Sequence, residues 1–205
     1  MAKGKMKKKS MRVDMTAMCD VSFLLLTFFV LTSTAKLPEP LPVDTPNSTV
    51  QTKLPESNLA TITIGDEKVF FGVLGKEDRK ATLEEMGKLY NIEFNDQEKE
   101  AFMFMEGIGT PMNEIKSFLN LPMAVRNQTS ANQKGIPTDS LNNQLQDWVK
   151  SARVVAKEKN NLVLNVAIKG DADEHYPQVK KVIDILQEQR VNKFFLVTGL
   201  RNEDF

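Results

Sequence analysis

The chain has 205 residues with 27 acidic and 27 basic side chains, so its formal net charge is zero. This size fits one membrane span together with one soluble domain of modest size. The basic residues cluster at the N-terminus beside an apolar stretch, a pattern typical of a membrane topology signal rather than of a nucleic-acid-binding arm. Because the chain has one histidine and one cysteine, it offers no ligand cluster of the zinc type, and we expect no metal site.

Residues 15–35 form an apolar stretch whose only ionisable side chain is Asp20. A helix of this length reaches roughly 32 Å, enough to cross the hydrocarbon core of a bilayer. Residues 1–14 carry six basic side chains and one acid. The positive-inside rule therefore places the N-terminus in the cytoplasm and residues 36–205 on the far side of the membrane.

Two alternatives concern the same stretch. Ser33 and Ala35 form a small-x-small pair of the kind that signal peptidase accepts. The apolar run is long for a signal peptide, however, and it contains Asp20. A lipoprotein interpretation of Cys19 is disfavoured because this residue precedes the apolar run, and as the only cysteine it has no intramolecular disulfide partner. We expect the span to be retained.

A linker and a hairpin follow the span. Five prolines fall in residues 36–58, and proline-rich segments favour extended, semi-rigid conformations. From Leu59 apolar and polar residues alternate, and residues 65–67 have the composition of a turn. Residues 69–71 continue the alternation, which predicts a short hairpin. The soluble domain is thus expected to span residues 59–205.

Residues 75–137 are predicted to be a largely helical insert with irregular connections. Its start signals are a capping box at 82–85 for a helix ending near Tyr90, an N-cap at Asn95 for 96–106, and Thr110 with Pro111 for 112–119. Residues 121–137 are predicted to be a polar loop. The methionines and phenylalanines of the insert are expected to build local core, with a partner-binding surface as the alternative.

The remaining elements have clear periodicity. Residues 138–140 are expected to open a helix that ends near Lys159, and the dense apolar run at 162–168 predicts an inner strand. An amphipathic helix over 176–188 and a strand over 193–198 complete the chain. The order β-β-(insert)-α-β-α-β predicts an α+β domain with helices packed on a small mixed sheet.

The acidic turn at residues 171–175 is the first candidate site. Asp171, Asp173, Glu174 and His175 are residue types that bind metals or transfer protons. The simpler interpretation is a solvated turn at a helix N-terminus, where the helix dipole favours acids. His175 has no serine or cysteine in a nucleophile context beside it, and the chain lacks a glycine-rich phosphate loop. A conventional enzyme is therefore not expected.

The second candidate site is the membrane helix itself. Counting from Asp20, Thr27 and Thr34 follow at seven and fourteen residues, which gives one polar stripe. Phe23, Leu24 and Leu31 lie beside this stripe at helical spacing. A polar stripe of this kind is expected to face protein or a water-filled path rather than lipid.

Asp20 itself has two interpretations. As a structural group, it holds two helices together by a buried hydrogen bond. As an ion carrier, its carboxyl group is neutral when it faces an apolar wall and charged when it faces a wet port. Alternation between these environments converts proton flow into movement of one helix against its neighbours, driven by about 2.3 kcal/mol per charge per 100 mV.

Three segments resemble the ExbD/TolR family, the small subunits of bacterial ion-driven motors. The membrane aspartate of the family, followed by a valine or similar residue and an apolar run, maps onto Asp20 and residues 21–26. Leu54 and Pro55 resemble the leucine-proline element that family members carry after the membrane. Residues 166–198, a strand, an acidic turn, a helix and a closing strand, resemble the end of the family's periplasmic domain. The insert at 75–137 departs from a typical member.

The resemblance implies a subunit of the bacterial inner membrane with its C-terminal domain in the periplasm. Two copies would sit inside a ring of ExbB-like multi-span subunits, expected to be a pentamer. Asp20 would carry protons, with sodium as the alternative ion, and no cofactor is implied. The periplasmic domain would engage a TonB-like protein by strand addition and so energise outer-membrane transport. Leu54 and Pro55 would act as a regulatory or partner-binding element of the linker.

Other uses of the same chain stay open. A TolR-like role in envelope integrity, or a link to another machine, would use the same motor with a different client. A membrane-anchored periplasmic binding module without ion transport would use the helix only as a tether. A secreted, cleaved binding domain is the third alternative, and the mass of the mature chain would distinguish it.

Overall fold

The computed structural model of the protein describes residues 15–33, 39, 41–48, 53–129, 133–139, 142–172 and 174–200. The chain divides into two compact units, residues 1–36 and 37–205. The first unit contains one apolar helix, and the second has an α+β fold with a small mixed sheet, so the predicted fold class is confirmed.

Helix α1 extends over Met15–Thr32 and contains no buried side chain. Its 18 residues correspond to a length of about 27 Å. The helix is long and apolar enough to cross a membrane. The amide of Ser33 still donates to the carbonyl of Phe29 at 2.9 Å, which completes the last turn.

The second unit opens with a two-residue strand and a hairpin, continues with four helices of the insert, and closes with alternating helices and strands. The bounds in chain order are β1 Asn47–Ser48, β2 Leu59–Gly65, β3 Lys68–Val73, α2 Lys76–Tyr90, α3 Asp96–Met103, α4 Ile115–Leu119, α5 Met123–Thr129, β4 Thr138–Asp139, β5 Asn142–Asn143, α6 Gln144–Asn160, β6 Asn165–Gly170, α7 Tyr176–Glu188, β7 Phe194–Val197 and β8 Gly199–Leu200.

The four-stranded sheet has the order β3-β2-β6-β7. Strands β2 and β3 form the predicted hairpin, and Asp66 and Glu67 at its turn have positive φ values of 52° and 59°. Two positive φ values match a type I′ turn, whose twist fits a two-residue hairpin. Strand β6 runs parallel to both β2 and β7, so an inner strand is present as predicted. It begins at Asn165 instead of residue 162, and Leu162 and Val163 are exposed.

The core lies between one face of the sheet and the helices, and the insert contributes to it. Trp148 of α6 is fully buried, with the ring of Phe102 stacked at 5.8 Å and the ring of Phe71 at 5.9 Å. Met112 and Phe118 of the insert are also buried. Phe104 and Met123 are exceptions, because they are 41% and 55% exposed, and the Phe104 ring lies 4.6 Å from the ammonium group of Lys76.

The capping box predicted at residues 82–85 is wrong. Helix α2 begins at Lys76, and Thr82 lies inside it with its hydroxyl donating to the carbonyl of Asp78 at 2.7 Å. The helix starts early because Glu77 and Asp78 fall in its first turn, where acids interact favourably with the helix dipole.

Two further helix starts differ from their sequence signals. Helix α4 begins at Ile115 instead of residue 112, because the amide of Met112 donates to the side chain of Gln144 at 2.9 Å. Helix α6 begins at Gln144 instead of near residue 138. The side chain of Asn143 caps this helix, and the preceding residues pair as β4 and β5. A hydrogen bond between residues 32 positions apart therefore displaced the first start, and a short local strand pair displaced the second.

The segment predicted as a polar loop, residues 121–137, contains helix α5, so that prediction is wrong. Pro122 stands at the start of α5, and its carbonyl accepts the amide of Arg126 at 2.9 Å. The Asn95 cap is confirmed, because its side chain accepts from the amide of Glu98 at 2.7 Å. Helix α3 ends at Met103, three residues before the predicted end at residue 106.

Part of the predicted linker, residues 36–58, belongs to the second unit and packs against the rest of it. Strand β1 pairs in parallel with β8, and the amide of Ala172 donates to the carbonyl of Asp44 at 2.8 Å. Leu41 is buried beside Gly65, where a side chain would meet its Cδ2 atom at 2.9 Å. The apolar residues of the segment thus obtain burial that an undocked extended chain would lack.

Glu98 joins α3 to α4 and is 2% exposed at its side chain. Its carboxylate accepts from the amide of Asn95 at 2.9 Å and from the side chain of Asn120 at 3.0 Å. We expect Glu98→Ala to lower the free energy of unfolding by about 2–3 kcal/mol, because both donors lose a charged acceptor. Urea unfolding of the full chain in detergent, followed by Trp148 fluorescence, measures this change.

The matched control is Glu100→Ala, because Glu100 lies on the same helix and is exposed. Its effect should stay within about 0.5 kcal/mol. Equal effects of the two substitutions would contradict the structural role of Glu98.

Tyr90 of α2 donates its hydroxyl to the Asp147 carboxylate of α6 at 2.7 Å. Burial, followed by this hydrogen bond, raises the pKa of the Tyr90 hydroxyl above its ordinary value of 10.0. The stabilisation is present in full below about pH 10. It is lost as the pH rises toward the folded pKa, because only the unfolded state then releases the proton.

We expect Tyr90→Phe to lower the free energy of unfolding by about 1 kcal/mol at neutral pH. The difference between wild type and Tyr90→Phe should shrink as the pH is raised above about 10. Thermal unfolding between pH 7 and roughly pH 11 tests this, and Tyr176→Phe is the control because Tyr176 is 73% exposed. A pH-independent difference would contradict the assignment.

Candidate functional site

Asp20 lies in the second turn of α1 and is exposed on the isolated helix. Because successive residues rotate by about 100°, Thr27 and Leu31 lie within roughly 20° of Asp20 around the helix axis. Leu24 and Phe23 lie on either side, at about 40° and 60°. The helix therefore brings these predicted residues onto one face. Thr34, the last member of the predicted stripe, lies outside the described residues.

The hydroxyl groups of α1 donate to the carbonyls of their own helix. Thr27 donates to the carbonyl of Leu24 at 2.9 Å, and Thr32 donates to that of Phe28 at 2.8 Å. Such bonds satisfy the hydroxyl protons in a medium without water, while the oxygen atoms still accept hydrogen bonds. On the Asp20 face, the Thr27 oxygen is therefore an acceptor for a protonated carboxyl group or for water.

The chemical properties of this face follow from the lack of any other charged side chain in helix α1. Within Met15–Thr32, Asp20 is the only acidic or basic side chain, and its neighbours on the stripe are apolar except for Thr27. A carboxylate in such surroundings is costly near the bilayer centre, by about 2.5–3.5 kcal/mol on insertion scales. A polar partner or water beside the group lowers this cost. The arrangement thus supports proton exchange, and it also supports a hydrogen bond between helices.

Leu54 and Pro55 lie just before the sheet and are both partly buried. Three residues after Pro55, Asn58 has a φ of 50° and is anchored to the C-terminal half of the unit. Its carbonyl accepts the amide of Asn165 at 2.8 Å, and its side chain accepts from Asn160 at 2.6 Å. The leucine-proline element is thus held close to the start of β2.

The acidic turn predicted as the weaker candidate is a shallow surface depression lined by Asp66, Glu67, Asp171, Glu174 and His175. The Glu67 amide donates to the Glu174 carboxylate at 3.3 Å, so a backbone donor rather than a cation faces this acid. Asp173 lies outside the described residues. In the described part of the chain, no three metal-ligating side chains converge on a common point.

The two edges of the four-stranded sheet differ, and sequence reasoning missed this difference. The β3 edge is covered by the insert, since Phe71 forms a bridge with Ile108. Strand β7 pairs only with β6 among the described residues. The sequence signal for the covered β3 edge was Gly72, because a glycine inside a strand often marks a place where another backbone approaches closely.

Comparison with known families identifies one match. The family model described as "Biopolymer transport protein ExbD/TolR" matches residues 6–200, which includes α1, the insert and the whole sheet. Comparison with curated proteins and with solved structures gives no match. Because the match covers nearly the whole chain, the protein belongs to the ExbD/TolR family of biopolymer transport proteins.

Proposed function

We propose that the protein is the small subunit of a proton-driven motor in the bacterial inner membrane, with Asp20 as the proton-carrying group. The observation that carries this proposal is the single acid on an otherwise apolar helix of membrane-spanning length. Family membership supports a role in biopolymer transport. A tether needs no acid at this depth, and an acid that costs free energy without a task is not expected to be retained.

The motor step requires two environments for one carboxyl group. Asp20 takes up a proton at a wet port, turns as a neutral acid past an apolar wall, and releases the proton at a second port. Each proton supplies about 2.3 kcal/mol per 100 mV of membrane potential. Thr27 and Thr34 extend the polar path along the stripe, while Phe23, Leu24 and Leu31 pack against neighbouring helices.

Assembly follows from the exposed surface of α1. All the large apolar side chains of this helix are exposed, and the helix needs lipid or other helices around it. Members of the family work with ExbB-like partners. In the proposed assembly, a dimer of this chain stands inside an ExbB-like ring, expected to be a pentamer, with the N-terminus in the cytoplasm and residues 36–205 in the periplasm.

The second unit passes the movement to a TonB-like protein. An extended segment of that partner adds to the sheet at β7, whose outer edge carries no neighbouring strand among the described residues. Leu54 and Pro55 lie where the linker meets the sheet, and their place suits a coupling element between helix and domain. Energy from the proton gradient thereby reaches transport proteins of the outer membrane.

The first test replaces the proton carrier. Asp20→Asn preserves size and hydrogen bonding but removes proton exchange. We expect membrane insertion and co-purification with the ring subunit to be unchanged, while client-dependent uptake falls to the level of a strain lacking the protein. Cys19→Ser, one residue away and on another face of α1, should retain full uptake. Full uptake in Asp20→Asn would refute the motor function.

A helix exchange separates the motor from a membrane-anchored binding module without ion transport. Exchange of residues 15–35 for an unrelated membrane helix removes the acid, the stripe and the packing surface together. The motor loses its activity after this exchange, whereas a tethered domain keeps it. Preserved function in the exchange variant would assign the helix a tethering role only.

The polar stripe has a matched pair of substitutions. Thr27→Val and Thr32→Val each remove one hydroxyl that donates to the helix backbone. Only Thr27 shares the face of Asp20. We expect Thr27→Val to slow proton uptake into liposomes that contain the ring and this subunit by several-fold, and Thr32→Val to leave the rate unchanged. Equal rates for the two variants would show that the stripe does not line the proton path.

A further inference from the structure

The outer edge of β3 carries backbone groups that face away from β2. In a hairpin with a two-residue turn, alternate residues form no hydrogen bonds with the partner strand. Gly65 pairs with Lys68 at the turn, and the alternation therefore directs the amides and carbonyls of Val69, Phe71 and Val73 outward. An edge with free groups of this kind is a template for another strand.

Residues outside the sheet occupy this edge. The amide of Phe71 donates to the carbonyl of Ile108, and the amide of Ile108 donates to the carbonyl of Phe71, both at 2.8 Å. The amide of Ile136 donates to the carbonyl of Val69 at 2.8 Å. The guanidinium of Arg79 donates to the carbonyl of Val73 at 2.6 Å. Every outward carbonyl of the three residues is therefore bonded.

Glycines permit this close approach. A Cβ atom on Gly72 would lie 2.1 Å from the carbonyl oxygen of Glu106, and a Cβ on Gly109 would lie 2.3 Å from the ring of Phe70. The two covering segments are also joined to each other. The side-chain oxygen of buried Gln133 accepts from the amide of Gly109 at 2.6 Å and from the hydroxyl of Thr110 at 2.9 Å.

The opposite edge of the sheet has the reverse character. Strand β7, with the sequence Phe-Phe-Leu-Val, contains no charged residue and no proline, although Lys193 directly precedes it, and Leu196 is 62% exposed. Natural edge strands usually carry such protective residues, because an apolar edge pairs with other chains. An apolar edge with no strand beside it in the described part of the chain indicates a surface that is occupied when the protein works.

We propose that residues 106–109 and 133–136 form an edge guard that closes β3 and directs strand addition to β7. The inference rests on the proposed function, in which a partner engages the sheet by adding a strand. The occupant of β7 is an extended segment of another protein that is apolar on both faces, because Phe194 and Leu196 alternate with Phe195 and Val197 across the sheet.

The guard has a consequence for assembly. A sheet with two open edges continues to add strands, and copies then join into open-ended chains. A sheet with one open edge stops after one addition. The insert thereby allows the domain to expose an apolar edge strand to its partner, while copies of the domain do not polymerise through that strand.

The first measurement tests the guard in the full-length protein in detergent. Gly72→Ala places a Cβ atom against the Glu106 carbonyl, whereas Gly170→Ala is the matched control, because a Cβ there has no neighbour within 4 Å. In hydrogen exchange, we expect the amides of Phe71, Ile108 and Ile136 to exchange at least about tenfold faster in Gly72→Ala than in wild type. The Gly170→Ala protein should match wild type.

The second measurement maps strand addition with a synthetic peptide of sequence KFFLVT, equal to residues 193–198, that carries a photo-crosslinking group. This peptide is apolar on both faces. We expect wild-type protein to be labelled at β7 and not at β3, and Gly72→Ala to gain label at residues 68–74.

Each outcome decides the proposal. Equal labelling of β3 and β7 in wild type would overturn the guard, as would unchanged exchange of Phe71 and Ile108 in Gly72→Ala. Absence of label at β7 would overturn its assignment as the docking edge. Labelling of one copy by another, with a crosslinker at Leu196 and no peptide present, would assign the edge to a second copy instead of a partner. None of these results alters the uptake phenotype of Asp20→Asn, which tests the motor separately.

Discussion

The main constraint on this protein is the free-energy cost of placing a charged group in hydrocarbon. Asp20 is the only acidic or basic group on an apolar helix, and no side chain of the helix is buried within its own unit. A carboxyl group in that setting is costly unless polar neighbours or water surround it. The proposed motor function, in which the surroundings of the acid change, rests on this cost.

The second unit has a different constraint, because each edge of a small sheet exposes backbone groups that another strand can pair with. The four-stranded sheet has two such edges, and the insert covers one of them. The insert supplies hydrogen bonds to the β3 edge through Ile108 and Ile136, while the apolar β7 edge keeps Leu196 largely exposed. In this family member, the helices of the insert extend the core, and the loops between them supply the groups that cover the β3 edge.

Several elements were predictable from local sequence, because their signals are local. The Asn95 N-cap, the turn at residues 65–67 and the amphipathic helix before β7 depend on neighbours within a few residues. The Thr82 signal lies inside a helix that already begins at Lys76, which is again a local effect. The Thr110 signal failed for a non-local reason. Backbone groups near Thr110 bond to Gln133 and Gln144, which are more than twenty residues away, and local propensity cannot represent such competition.

The sequence by itself determined that one apolar helix carries one acid, that a proline-rich segment follows, and that an α+β domain completes the chain. Hydropathy, charge and periodicity are properties of the residues and need no tertiary contact. Only the tertiary structure decided which edge of the sheet is closed. Closure depends on hydrogen bonds between the backbone groups of Phe71 and Ile108, which lie 37 residues apart in the sequence. Backbone N–H and C=O groups are nearly the same in every residue, so the local sequence does not identify which of them will form a hydrogen bond with each other. The packed fold determines these partners.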